Sequence, residues 1–476
     1  MTVHSIQESF TVTGEWWIPG TSERDQTNKK PGTLKWEERG ATLELHSALT
    51  SLHGSVLADE SQAYAVIHGT TTQSELVSLL AGTGFRSPIA LGTAGVGETE
   101  IVRSSWMVVG AHVTPESCFT QIEARIPGLS IWLGPSGARQ TVRHKTETAP
   151  CSVTLEFPNV PEETFSVAAV PGIIGFGIGR ECTGDPDSRY SITTFGYLRI
   201  CPAEPRGLKW LVDRLSRATT LLAIVAGCPM GPDQIALKTA PDENDCELFV
   251  LLREAKLCPR DHAGQFFLVR PKMQVDAGIA FSKWFDLYDR VAMPSQLALG
   301  VLYSEGLFLH VEFLSLMQAL EGFHRAITGG SYMSKNDYEP VRETLVQAIP
   351  LSVNEDHREA LKSKIRYGYE FSLRKRLDAL VGRLEQELRK KILGPCASVP
   401  RTWIVTRNYY THWDEAERSS VLEGIEMHRA GVRMKHLLRA LYLDLVGVPQ
   451  EAILAGLRNH LCDECAYLDQ LNTLKH

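Results

Sequence analysis

Over the first part of the chain, about 270 residues, apolar side chains recur in short runs, many of them alternating with polar ones. A period of two predicts half-buried strands. Such runs are Phe10–Ile18, Thr33–Ser47, Ala63–Ile67, Ile101–Val109, Thr120–Ile126, Leu129–Leu133, Ser152–Phe157, Thr164–Val170 and Tyr190–Ile200. Turn signals separate them, including Gly184-Asp185-Pro186-Asp187, and the glycine-rich run Gly175–Gly179 reads as a β turn. One helical segment interrupts the series at Leu208–Ala226, with Leu211, Leu215, Leu221 and Leu222 as its apolar positions and basic residues opposite. Strand-like runs resume at Leu248–Leu252 and Phe266–Val269. A β-sandwich or distorted barrel fits this region.

The pattern changes near residue 280. Pro294–Ile327 reads as one long or kinked helix, apolar almost all round, which suits the centre of a bundle. Glu355–Leu393 predicts one or two charged helices ended by Gly394-Pro395. Trp403–His412 follows a short loop, Glu417–Val446 reads as an amphipathic helix, and a last helix is expected over Gln450–His460. The expected class is therefore α+β multidomain: a β-rich domain over residues 1–275, then an all-α bundle over 280–476.

Composition changes this picture little. Apolar residues make up 43% and charged residues 22% of 476, as in ordinary globular proteins. A net charge of −7 argues against a generic polyanion binder while leaving room for a local basic surface. No basic and apolar leader opens the chain. The apolar stretch Leu297–Leu320 carries Glu305, His310 and Glu312, so it is expected in a core rather than a membrane. The ten cysteines have no framework spacing and read as reduced thiols of a cytoplasmic protein. Cys462-x-x-Cys465 beside His460 is half of a zinc site at most, and no metal or other cofactor is expected.

The candidate chemistry lies in Arg407-Asn408-Tyr409-Tyr410-Thr411-His412. It joins an always-charged guanidinium to an imidazole that titrates near neutrality. Metal-free RNA cleavage needs such groups: a base for the 2′-hydroxyl, an acid for the departing 5′-oxygen, and a cation for the phosphorane. Spacing alone decides nothing. Arg and His separated by four to six residues occur four times, at Arg39/His46, Arg139/His144, Arg407/His412 and Arg429/His436, and about three are expected by chance. Only Arg407 is followed by Asn within a long helix-patterned region. On an ideal helix Arg407 and His412 would stand about 140° apart. Either the segment is partly a loop, or the site is composite.

Three C-terminal features carry a family resemblance: Leu320-Glu321-Gly322-Phe323-His324-Arg325 ending an apolar helix, the Arg407–His412 motif with Trp413 after it, and the Met434–Leu445 apolar stripe. The region resembles the HEPN domain of the ApeA family of anti-phage proteins. Gly14-Glu15-Trp16-Trp17-Ile18-Pro19 and Gly32-Thr33-Leu34 resemble that family's N-terminal domain. The resemblance implies a metal-independent endoribonuclease, restrained until phage infection and then causing abortive infection. It implies Arg407 and His412 as the catalytic pair, with Asn408 accompanying them. It implies a homodimer or higher homo-oligomer that brings two motifs together, an RNA substrate and a phage-derived trigger. In many members Asp or Gly closely follows the His; here Trp413 intervenes before Asp414, to which no role transfers.

Alternatives stand beside these readings. Asn408 either bonds phosphate or caps a helix. Tyr409 and Tyr410 either pack in the core or stack a base. Glu321 either orients Arg407 or pairs with Arg325 at i+4, and His324 reads as structural. Arg374, Lys375 and Arg376 either track RNA or form a solvated face. Trp16, Trp17, Trp106 and Trp132 suggest core packing, with sugar binding as the rival. At the level of the whole protein, the rivals are an inactive HEPN RNA-binding or assembly module and a carbohydrate-recognition protein acting through the β domain.

Overall fold

A computed structural model describes residues 5–20, 29–50, 61–86, 99–134, 139–146, 149–157, 160–185, 189–241, 244–250, 262–304, 306–413 and 415–458. The chain divides into two compact units: Met1–Pro271 with Asp276–Ser282, and Lys272–Val275 with Lys283–His476.

In the first unit, six strands close a barrel: β1 (Phe10–Trp17), β2 (Lys30–Glu37), β3 (Gly40–Leu45), β4 (Ser61–Thr71), β5 (Leu76–Arg86) and β6 (Glu100–Ser104). The order runs β5-β4-β1-β2-β3-β6, and β6 pairs back onto β5. All these pairings are antiparallel. Alternation fills the core: Leu34, Trp36, Leu43, Leu45 and Val102 are at most 2% exposed, along with Trp16. The buried Glu100 is satisfied, accepting from Tyr64 Oη at 2.6 Å and the Leu49 N–H at 3.0 Å.

The sheet continues from β5 through β7 (Trp106–Val109) into further strands: β8 (Cys118–Arg125), then, after the short helix α1 (Leu129–Leu133) and the separate hairpin β9 (Arg139–Thr146)–β10 (Ala149–Glu156), β11 (Glu163–Val167), β12 (Val170–Asp185) and β13 (Arg189–Pro202). The two-residue β14 (Arg206–Gly207) leads into α2 (Leu208–Ala226), and β15 (Gln234–Thr239) with β16 (Asp245–Val250) completes the unit. The sequence pattern therefore locates a barrel-like β region, and the closed ring makes it specific.

Several local expectations are corrected. Leu129–Leu133 is helical, entered from Gly128 in the left-handed region. Thr33–Ser47 and Ile101–Val109 each split into two strands, the first at the two-residue turn Glu38-Arg39. Phe266–Val269 is buried but not a strand, and lies between two 3-10 turns. Gly175–Gly179 is no turn: it sits inside β12. A Cβ at Gly177 or Gly179 would run into the Tyr197 or Phe195 ring of β13, so these glycines make room for cross-strand aromatics. Trp16 and Trp132 are core residues at 0% and 1% exposure. Pro186 and Asp187 fall outside the described residues.

The second unit is helical. Its elements are α3 (Ala277–Tyr303, with Pro294 inside) from Lys283 onward, its first six residues being counted with the first unit, then α4 (Leu309–Thr328), α5 (Lys335–Gln347), α6 (Glu355–Arg366), α7 (Leu373–Val381), α8 (Gln386–Leu393), α9 (Arg401–His412) and α10 (Gly424–Val446), with a further helix over 450–458. Expected Pro294–Ile327 is thus two helices, broken where Gly306 takes φ +72°. Expected Glu355–Leu393 is three, each restarted by its own N-terminus; Asn354 and Ser372 cap α6 and α7. Glu417–Val446 is a 3-10 turn and then α10, divided near Gly424. α4 and α10 face each other: Phe313, Leu316, Leu320 and Phe323 are buried with Met434, Leu437, Leu438 and Leu441. Tyr442 Oη meets Ser295 Oγ at 2.9 Å, and its ring lies 4.7 Å edge-on from Phe323. No helix among the described residues is long and apolar enough to cross a membrane. Glu305, Asp414, His460, Cys462 and Cys465 lie outside the described residues.

Candidate active site

α9 begins after Pro400 and stays helical to His412. Its inner face is fixed by Trp403, Val405, Thr406 and Tyr409, all buried. Thr406 Oγ1 accepts the Leu422 N–H at 2.9 Å, which ties the next segment to the helix. The helix ends at Trp413, a non-glycine residue at φ 56°, ψ 42°. Since Arg407–His412 is regular helix, the loop alternative is removed. The two side chains leave one helix about 140° apart.

Arg407 is half-buried, and His412 is exposed. His412 makes no hydrogen bond or ion pair with any described residue. Arg407 has two modest contacts: Nη2 lies 3.6 Å from Glu321 Oε2, and Nη1 donates to Asn408 Oδ1 at 3.3 Å. A guanidinium has five N–H donors, so most of its capacity stays available.

Glu321 lies next to both Arg407 and Arg325. Besides Arg407, its Oε1 takes Arg325 at 3.2 Å. Arg325 reaches on to Glu370 at 2.9 Å, and Glu370 to Arg376 at 3.1 Å. This ladder holds three guanidiniums (Arg407, Arg325, Arg376) against two carboxylates (Glu321, Glu370), a surplus of one positive charge. Its inner end is dry. Arg376 is 1% exposed and donates to the carbonyls of Gly329 (2.7 Å) and Phe371 (3.1 Å). His324 is fully buried, with Nδ1 3.4 Å from Arg376 Nη1. Burial, then the Arg376 and Arg325 charges, holds its imidazole below the usual histidine range.

Other expected residues separate. Asn408 sits in the interior of α9 and caps nothing; it contacts Arg407. Tyr409 is 3% exposed, which leaves no free ring face for RNA; its hydroxyl accepts from Arg418 Nη1 at 2.8 Å. Tyr410 is half-buried and stacks on His310, 5.5 Å between centroids. Of the basic cluster, Arg376 is internal, Arg374 pairs with Asp378 at 2.9 Å, and Lys375 is exposed. The expectation of one RNA-tracking Arg374–Arg376 surface is corrected at Arg376: a charge run gives no sign that one member is anchored by carbonyls elsewhere in the fold. Glu370 was missed, since nothing in its local sequence links it to Glu321. No cluster of three or more metal-ligating side chains occurs among the described residues.

Residues 11–284 match the family model of ApeA N-terminal domain 1, more than half the chain. The chain belongs to the ApeA family. Residues 314–452 match a second model, Apea-like HEPN, which spans both Glu321 and the Arg407–His412 motif. The ApeA-type architecture of a β-rich N-terminal domain followed by a helical HEPN domain is therefore present. No curated protein and no solved structure matches the chain.

Proposed function

We propose that the HEPN domain is a metal-independent endoribonuclease completed by two copies of the chain, acting in anti-phage defence through abortive infection. The observation that carries this is the placement of Arg407 and His412 on one unbroken helix, accessible yet turned well apart. A single copy then offers an imidazole and a guanidinium in different directions. Two copies related by a twofold axis can supply both to one phosphate. Arg407, steadied by Glu321 and backed by the surplus charge of the ladder, grips the scissile phosphate. An imidazole of His412 takes the 2′-hydroxyl proton. The 2′-oxygen attacks phosphorus, and the P–O5′ bond breaks. A protonated imidazole returns a proton to the 5′-oxygen. The products are a 2′,3′-cyclic phosphate and a 5′-hydroxyl. Asn408 assists as a polar neighbour, and Lys375 with Arg374 extends the phosphate path. The barrel unit is the regulatory part, responding to a phage-derived trigger in the cytoplasm.

Arg407→Ala and His412→Ala should each cut cleavage by about 10²–10⁴-fold, and wild-type cleavage should persist in excess EDTA. Mixing the two inactive chains is the sharper test. If each centre takes Arg407 from one copy and His412 from the other, half the sites in mixed dimers are intact. About a quarter of the activity should return. Full activity in either single variant, or 5′-phosphate products that require Mg²⁺, would refute the nuclease. No recovery on mixing would refute a centre built from one Arg407 and one His412 of different copies.

A further inference from the structure

Beside the motif, three rings form a near-parallel column. Phe308 stacks on His310 with centroids 5.7 Å apart and planes 20° apart. His310 stacks on Tyr410 at 5.5 Å and 12°. Trp413 lies edge-on beside the row, 6.3 Å from Tyr410 at 67° and 5.8 Å from Tyr409 at 63°. Phe308 and Trp413 both violate ordinary packing rules. Phe308 is 74% exposed and occupies the N-cap of α4, where Ser, Thr, Asp or Asn would hydrogen-bond the first turn. Trp413 is 67% exposed and held in the left-handed region, which costs a non-glycine residue about 1–2 kcal/mol. Two large apolar rings are thus kept in water beside the stack, one at a helix N-cap without a capping side chain and one in the left-handed region.

We propose that this column is a nucleobase-stacking site that makes single-stranded RNA, with unpaired bases flanking the cut, the substrate. The identity of the ligand as RNA rests on the nuclease reading of Arg407 and His412. Bases stack on flat rings whatever their sequence, and only unpaired bases are free to do so. Tyr410 ties the column to α9, the same helix that carries the guanidinium and imidazole. Bases stacked on the exposed face of Phe308 would continue a row that begins on that helix at Tyr410. The rings at 5.5 and 5.7 Å already stack on one another, so a base can join only at the exposed outer face of Phe308, as one more member of the row.

The test uses the full chain carrying His412→Ala, so that RNA is bound without being cut. Fluorescence anisotropy is measured with a labelled oligouridine, with the same sugar-phosphate chain lacking its bases, and with duplex RNA. Adding Phe308→Ala should weaken oligouridine binding about ten-fold and leave the abasic and duplex affinities unchanged. Equal losses on all three probes, no loss on any, or no binding of oligouridine by the parent chain overturns the proposal. A fall in sedimentation mass caused by Phe308→Ala also overturns it, because the rings would then join two copies of the chain. The two readings fail separately. Ring-dependent binding by a chain whose cleavage ignores Arg407 and His412 removes the nuclease and keeps the site; cleavage that needs both residues, with binding blind to the rings, does the reverse.

Discussion

Both units bury aromatic side chains, but the helical unit leaves more of its rings in water than the β-rich unit does, among the described residues. In the barrel, Trp16 and Trp36 are buried, and Trp36 Nε1 donates to the Ile6 carbonyl at 2.7 Å. The buried carboxylate of Glu100 is satisfied by Tyr64 and Leu49. In the helical unit, Phe308, Tyr332, Tyr367 and Trp413 stand exposed, against Phe85 in the barrel unit, among the described residues. Its charges form a ladder that runs from the buried Arg376 to the half-buried Arg407. A closed ring satisfies its backbone and hides its rings, which suits a scaffold. Rings and charges held at a surface against packing preference suit contact with a ligand.

Two tryptophans test that contrast most strongly. Trp16 fills the barrel with its ring against Gly69 and donates to the Gly32 carbonyl at 3.3 Å. Trp16→Ala should cost about 3–5 kcal/mol of stability. Trp413→Ala removes an exposed ring and should change stability by no more than about 0.5 kcal/mol. Denaturant unfolding of both variants decides it. Comparable losses would mean that Trp413 is structural, and the contrast between the units would fail.

A smaller effect is expected at Glu321. In the proposed centre this residue would touch no substrate and would position Arg407, 3.6 Å away. Glu321→Ala should lower kcat about ten-fold with little change in KM, as expected when a phosphate-gripping group loses its orientation. Glu321→Gln retains an acceptor and should recover part of that loss. A change in thermal stability that tracked the activity loss in both variants would point to a merely structural pairing.

What the sequence disclosed follows from what is local. The alternation of Lys30–Glu37 and the stripe Met434–Leu445 announce their elements, and the junction near residue 280 shows as a change of period. Barrel closure does not, because β6 returns to β5 through pairings that no local pattern encodes. β12 was obscured by glycines whose reason lies on the neighbouring strand. α5 is mostly polar and contains Pro340, so its periodicity was weak even though Ser334 supplies a proper cap. At the candidate site, Arg407 and His412 were visible as a spaced pair and Glu321 as a carboxylate on an apolar helix. The ladder beyond them was not, since Glu370 and Arg376 join it only in three dimensions.

The smallest expected effect compares one buried histidine in each unit. Burial lowers the proton affinity of both His68, which lies on the Val113 carbonyl at 3.0 Å and stacks on His112, and His324, which lies against Arg376. In each case the unfolded chain takes up a proton more readily than the folded one. The stability involved is fully present above the ordinary imidazole value of about 6.5 and is lost as pH falls through the lower folded value. Hydrogen exchange over α4 and over β4, compared at about pH 7.5 and about pH 5.5, reads the two units separately. His324→Gln should flatten the acid loss over α4 and leave β4 unchanged; His68→Gln should do the opposite. If His324→Gln leaves the α4 slope as it was, the buried imidazole at the inner end of the ladder is not what makes the helical unit sensitive to acid.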